Sequence, residues 1–232
     1  MPRSITWHGH ANFQIRTPGC NILIDPFFGG APAPAEILRG NDRPDLVLVT
    51  HMHADHYGEA VAICAACGAM LGGVVGLVEV LQEQGVPAAQ ILNGIGFNIG
   101  GTVKVKGVDI TMTEAFHSSE AGVPTGFIIR LDDGYAIYHA GDTGVFANMA
   151  VWGDLFALDL ALLPAGGLFT MDGRQAARAA AILKCKAAVP MHWGTFPVLA
   201  QNTDEFESEL AVQAPDCRFV RMLPGQSLSL PA

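Results

Sequence analysis

Leu46-Val47-Leu48-Val49-Thr50-His51-Met52-His53-Ala54-Asp55-His56-Tyr57 decides the reading of this chain. Its apolar start reads as a buried strand. The strand runs straight into three histidines and an aspartate, side chains that suit first-row divalent metals. A regular strand or helix can hardly aim all of them at one ion. A loop at a strand end can divide them between two ions. The competing readings are a surface accident, a purification tag and hydrogen-bonded core histidines. A tag would be terminal and usually contiguous, and a core seldom holds three histidines alternating with an aspartate, so the metal reading leads.

Working outward, a dinuclear site needs more donors than this loop supplies. His117 follows the strand-like run Ile110–Phe116, Asp142 follows Ala136–Gly141, and His192 follows Ala187–Met191. Polar residues at several strand ends describe a site along one sheet edge, carried on loops that a rigid scaffold holds. Taken singly, His117 reads equally as a loop histidine and Asp142 as a turn aspartate beside Gly141 and Gly144.

Groups behind the ligands should orient the ring nitrogens that face away from the metal. Asp25 ends the run Ile22-Leu23-Ile24, where an acid is costly unless paired; the alternative is a turn aspartate before Pro26. His10 either lines the pocket or packs in the core. His139 is a candidate proton donor to a leaving group, with a structural role preferred. Thr195 and Phe196, just past His192, are placed in the pocket, and His8 at an edge or surface. Trp7, Phe28, Phe169, Trp193 and Phe196 offer an apolar wall, though each taken alone reads as ordinary core.

Strand-like runs begin near Ser4 and recur to Leu230, with turn signals such as Pro18-Gly19, Asp133-Gly134 and Pro224-Gly225 between them. Helices are expected near 58–67, 77–84, 173–183 and 203–212. Asp172 caps the third of these in a capping-box pattern with Gln175, and Thr203 and Asp204 cap the fourth. Early strands form hairpins and later ones alternate with helices, which favours two sheets packed face to face over one doubly wound parallel sheet. Phe27–Pro44 is a long Gly- and Pro-rich connection of the kind that often serves function, here as part of a substrate entrance. Residues 1–232 read as a single domain.

Half of the residues are hydrophobic, 15% are charged and the net charge is −9. That balance disfavours nucleic-acid and anionic-membrane surfaces, which need clustered Lys and Arg. Nothing at the start resembles a signal peptide. The uncharged stretch Ala60–Val78 approaches the length of a membrane span, but its glycines and alanines make it weakly hydrophobic, and it reads as helix, strand, helix. A soluble, cytoplasmic protein is expected. Five cysteines argue against a disulfide framework. Cys64-Ala65-Ala66-Cys67 matches a redox spacing, yet reads better as one face of an Ala-rich helix.

Thr50-His51-Met52-His53-Ala54-Asp55-His56, His117-Ser118-Ser119, His139-Ala140-Gly141-Asp142-Thr143-Gly144 and Pro190-Met191-His192 together resemble the metallo-β-lactamase superfamily. Gly9-His10-Ala11, Leu23-Ile24-Asp25-Pro26, Asn98-Ile99-Gly100-Gly101, Leu163–Met171 and Thr195-Phe196-Pro197 make the chain similar to one branch of it. That branch holds small metal-dependent hydrolases related to ascorbate-6-phosphate lactonase and N-acyl-phosphatidylethanolamine phospholipase D. The resemblance covers essentially the whole chain. It implies an α+β fold, a four-layer αββα sandwich of two mixed sheets with helices outside. It also implies that His51, His53 and His117 hold one ion, that Asp55, His56 and His192 hold a second, and that Asp142 bridges them. The segment Ser119–Thr125 departs from the family in being short.

The function that follows is a hydrolase with two divalent ions, zinc foremost and manganese, nickel or iron as alternatives. It would use a metal-bound hydroxide on a small ester, lactone or phosphorylated metabolite. Asp55, His56 and Asp142 are the catalytic candidates. A phosphodiesterase or nuclease of the same fold is the alternative, and a metal-binding protein without activity a further one. Diiron oxidoreductases of related fold carry a carboxylate where this chain has His53, together with a flavin domain. The expected partner is a small-molecule substrate, with a homo-oligomer as a general prior.

Overall fold

The computed structural model describes residues 3–231. Each strand-like run forms a strand. The first five are β1 (Ser4–Gly9), β2 (Asn12–Arg16), β3 (Asn21–Ile24), β4 (Leu46–Leu48) and β5 (Met70–Gly72). Four more follow as β6 (Thr102–Val105), β7 (Val108–Glu114), β8 (Thr125–Arg130) and β9 (Ala136–His139). The last are β10 (Leu160–Pro164), β11 (Ala187–Met191), β12 (Arg218–Phe219) and β13 (Ser227–Ser229).

They make two mixed sheets, ordered β13-β1-β2-β3-β4-β5 and β12-β11-β10-β9-β8-β7-β6. In both, hairpin-connected strands pair antiparallel and the strands reached by helical crossovers pair parallel. The strands at the sheet centres are buried on both faces, so β3, β4, β10 and β11 read as continuous apolar runs. The sheets meet face to face: the Phe13 ring on β2 lies 5.8 Å from the His139 ring on β9. This is the αββα arrangement that the sequence implied.

Helices cover the outer faces. They are α1 (Ala54–Tyr57), α2 (Ala60–Cys67), α3 (Leu77–Glu83), α4 (Met149–Phe156), α5 (Gly173–Leu183) and α6 (Asp204–Gln213). The stretch Ala60–Val78 divides into helix, strand and the start of a helix, as expected, and no helix among the described residues is long and apolar enough to cross a membrane. On α5, Ala176, Ala179, Ala180 and Leu183 recur at helical spacing on one buried face. Asp172 caps this helix, its Oδ1 accepting the Gln175 N–H at 2.8 Å.

Two local expectations fail. Thr203 stands at the α6 N-cap position, but its buried hydroxyl makes no capping bond, and the Asn202 side chain accepts the Asp204 N–H instead. The helix α4 was not foreseen. Cys64 and Cys67 are buried free thiols on α2, and burial pushes the Cys64 thiol up to about 12, far from a reactive thiolate.

Candidate metal centre

All the ligand candidates arrive at the same ends of their strands. His51 to His56 follow β4, His117 follows β7, Asp142 follows β9 and His192 follows β11. The first sheet therefore supplies the histidine-rich loop, and the second supplies the remaining donors. The loop winds into the single turn α1, which turns His56 inward while His53 stays outside the helix as its N-cap.

Two clusters result. His51 Nε2 lies 2.9 Å from His53 Nδ1, and His117 Nε2 lies 3.2 Å from that same atom. Asp55, His56 and His192 form the second cluster, with ligand atoms within 4.8 Å of one another. His10 joins this second cluster, closer to it than a wall residue need be. Asp142 sits between the clusters. Its Oδ2 is 3.0 Å from His192 Nε2, 3.3 Å from His56 Nε2 and 3.5 Å from His117 Nε2.

Behind the rings, protons are fixed by buried partners. Asp25 is fully buried, and its Oδ2 accepts from His56 Nδ1 at 2.7 Å and from the Thr50 hydroxyl at 2.7 Å. Its Oδ1 accepts the Thr50 N–H. With the Thr50 proton committed to Asp25, the contact of 3.0 Å between Thr50 Oγ1 and His51 Nδ1 is made by the ring N–H. Both rings thus carry a proton on Nδ1 and turn Nε2 into the site, and on His51 that Nε2 is bare. Thr50 was not singled out from sequence. The signal available was a hydroxyl residue directly before the first histidine.

His10 Nε2 donates to Asp55 Oδ2 at 3.1 Å, which leaves Nδ1 to accept the Thr195 hydroxyl at 3.0 Å. Burial holds His10 neutral, lowering it to about 4 against the pull of Asp55. Burial likewise lowers His51 to about 3. For Asp142, burial opposes ionisation, but the facing His56 and His192 rings outweigh it and hold the carboxyl well below the usual range. For His56, burial opposes the charge, and Asp142 and Asp25 on either side raise it well above the usual value. His10, Asp25 and His192 all have left-handed backbone (φ 52°, 47° and 56°), a cost often stored at functional sites.

His139 is placed elsewhere. Its Nε2 donates to the Ala11 carbonyl at 2.8 Å and its Nδ1 accepts the Gly141 N–H. Fully buried and with both nitrogens engaged, it ties the second sheet to the β1–β2 turn. His8 is half-buried against Gln14, more enclosed than an edge residue. The short segment after His117 packs down on the loop: Ser119 Oγ accepts the Met52 N–H and donates to the Ala121 carbonyl.

A cavity of about 520 Å³ opens over the clusters, lined by Phe169, Phe196 and Val198 opposite the ligands. A second cavity of about 350 Å³ lies beyond His10 and Thr195, walled by Trp7, Phe28 and Trp193. Of the residues considered for an apolar wall, Phe169 and Phe196 thus face the ligands. The long connection lines the second cavity through Phe27 to Gly29.

The beta-lactamase superfamily domain pattern matches residues 20–193. A UPF0173 metal-dependent hydrolase of Nitratidesulfovibrio vulgaris is 60% identical over 99% of this chain and 96% of its own. Another from Lawsonia intracellularis is 50% identical over 99% of this chain and all of its own length (100%). Among solved structures, a metallo hydrolase from the archaeon Ignicoccus hospitalis superposes with a TM-score of 0.89 at 37% identity, covering 100% of both chains.

Proposed function

The chain belongs to the beta-lactamase superfamily, as a metal-dependent hydrolase, and from that premise we propose that it works through two divalent ions on a small ester, lactone or phosphorylated metabolite. One observation carries the proposal: a single oxygen of Asp142 faces imidazole nitrogens from three separate segments.

The residues fit a pair of cations. His56 Nε2 and Asp142 Oδ1 are buried without a hydrogen-bond partner, a costly state for polar atoms. The bare His51 Nε2 and the nitrogens of His53 and His117 crowd together more closely than protons alone can satisfy. His51, His53 and His117 would hold one ion, Asp55, His56 and His192 the other, and Asp142 would bridge. The imidazole and carboxylate set suits zinc, with manganese, nickel and iron as alternatives.

When bound, such ions make water ionise near neutral pH and polarise the substrate oxygen. The chain does the rest. Asp25 and Thr50 keep protons on Nδ1 of His56 and His51, so Nε2 is the nitrogen each ring would offer a cation, which on His56 would take the place of a proton. His10 fixes Asp55 through Oδ2, which leaves Oδ1 as the atom to ligate or to take the proton of the attacking water. We propose as well that residues 1–232 act as one hydrolase domain in the cytoplasm, where five free thiols stay reduced.

The test is to load the purified chain with zinc or manganese, count ions by mass spectrometry, and screen lactones, thioesters and phosphodiesters. Two ions per chain and turnover of one class are expected. Asp142→Ala should lower the ion count and cut turnover by about 10²-fold or more. Full turnover in that variant would remove the bridge, and inactivity of fully loaded protein on every class would remove the proposal.

A further inference from the structure

We infer that the substrate is an uncharged carboxylic ester or lactone with an apolar acyl group, seated against Phe169, Phe196 and Val198, and not a phosphorylated metabolite. The inference rests on the hydrolase reading above and narrows it.

The wall opposite the ligands is apolar and open. Phe169 is 58% exposed, Val198 57% and Phe196 37%, and the neighbouring Leu168 reaches 71%. Exposed apolar groups that cluster at a cavity mouth mark a binding surface. The backbone maintains this exposure at a cost. Leu168 has φ +58°, a left-handed conformation that a leucine adopts only under constraint. The constraint is local: Gly167 N–H bonds the Met171 carbonyl, and Met171 N–H bonds the Thr143 carbonyl, next to Asp142. The loop is thus anchored beside Asp142, with Phe169 lining the cavity and Leu168 exposed next to it.

Charge points the same way. Among the described residues, no Lys or Arg lines the cavity. Several basic residues are paired elsewhere, Lys106 with Asp45, Lys186 with Asp159 and Arg221 with Glu207. Arg174 and Arg178 line a different cavity, beside Asp172 and Gln175. Glu120, 3.9 Å from His53, adds negative charge at the rim. A phosphate held away from the reacting carbon would find no cation to pair with. An apolar chain would cover side chains that are otherwise wet. In the reaction, the water oxygen bonds to the acyl carbon and the acyl–oxygen bond breaks. The leaving oxygen takes a proton and the carboxylic acid departs, with no change of oxidation state.

Titration calorimetry on the metal-loaded full chain tests this with acyl products: acetate, butyrate and octanoate, against glycerol 3-phosphate. Affinity should rise about twofold per methylene, so that octanoate binds at least about tenfold more tightly than acetate. Phe169→Ala and Val198→Ser should flatten that slope. The inference is overturned if octanoate binds no more tightly than acetate or if glycerol 3-phosphate binds more tightly than octanoate. It is overturned too if the variants change the sedimenting mass and leave the slope intact, which would make the apolar rim a self-association face. Counting ions in the same preparations separates the two claims. If protein loaded with zinc or manganese takes up neither ion yet shows the chain-length slope, the apolar site stands and the two-ion reading falls. An active enzyme with a flat slope sinks the substrate class alone.

Discussion

At the scale of single residues, the sequence offered the candidate ligands and Asp25 behind them, but not Thr50. His51, His117, Asp142 and His192 each end an apolar run, and that position is visible in one dimension. His139 ends a run as well, and nothing local separates it from a ligand until the Ala11 carbonyl captures its Nε2. Thr50 and His10 bond to side chains remote in sequence, so spacing alone reveals neither the Thr50–Asp25 nor the His10–Asp55 pairing. Asp25 gives the sharpest residue-level prediction. It accepts from His56, from the Thr50 hydroxyl and from the Thr50 N–H. Asparagine keeps the shape but aims an NH₂ at one of those donors. Asp25→Asn should weaken zinc binding about 10- to 100-fold, read by chelator competition. Unchanged affinity would show that Asp25 does not orient the rings.

At the scale of elements, periodicity and turn residues placed every strand, because apolar runs bounded by Gly, Pro and Asp are a strong local signal. Helix α4 escaped because Met149–Phe156 has no side-chain cap and carries Gly153, a poor helix former. The glycine belongs to the packing: a Cβ there would collide with the Leu183 carbonyl at the end of α5. A chain cannot announce a close approach between elements thirty or so residues apart. Gly153→Ala should therefore destabilise by about 1–3 kcal/mol despite its better helix propensity, measured by urea unfolding. A stabilised variant would mean that α4 and α5 can separate at little cost.

At the scale of the whole molecule, the candidate ligands come from both sheets, four from the loop after β4 in the first and three from strand ends of the second. Bound ions would add a clamp between two layers that also meet through apolar contacts, the His139 bond, the Thr125 bonds to the Thr50 carbonyl and the His192 N–H bond to the His10 carbonyl. Chelation should then lower the melting temperature, and zinc at about 100 times its Kd should restore about 2.7 kcal/mol, roughly 5–10 °C for a chain of this size. Scanning calorimetry across a zinc series reads it directly, and a melting temperature indifferent to zinc would mean that the layers stand without the clamp.

The split origin of the donors also sets a timetable for biosynthesis. A nascent chain has the histidine-rich loop long before it has His192, so an ion met early can find only a partial cage. With that ligand set, metal acquisition would be one of the last events of maturation, delayed until the final strands have left the ribosome and docked. A cell that starves for the ion at that moment would accumulate chains that are complete in length yet unfinished as catalysts.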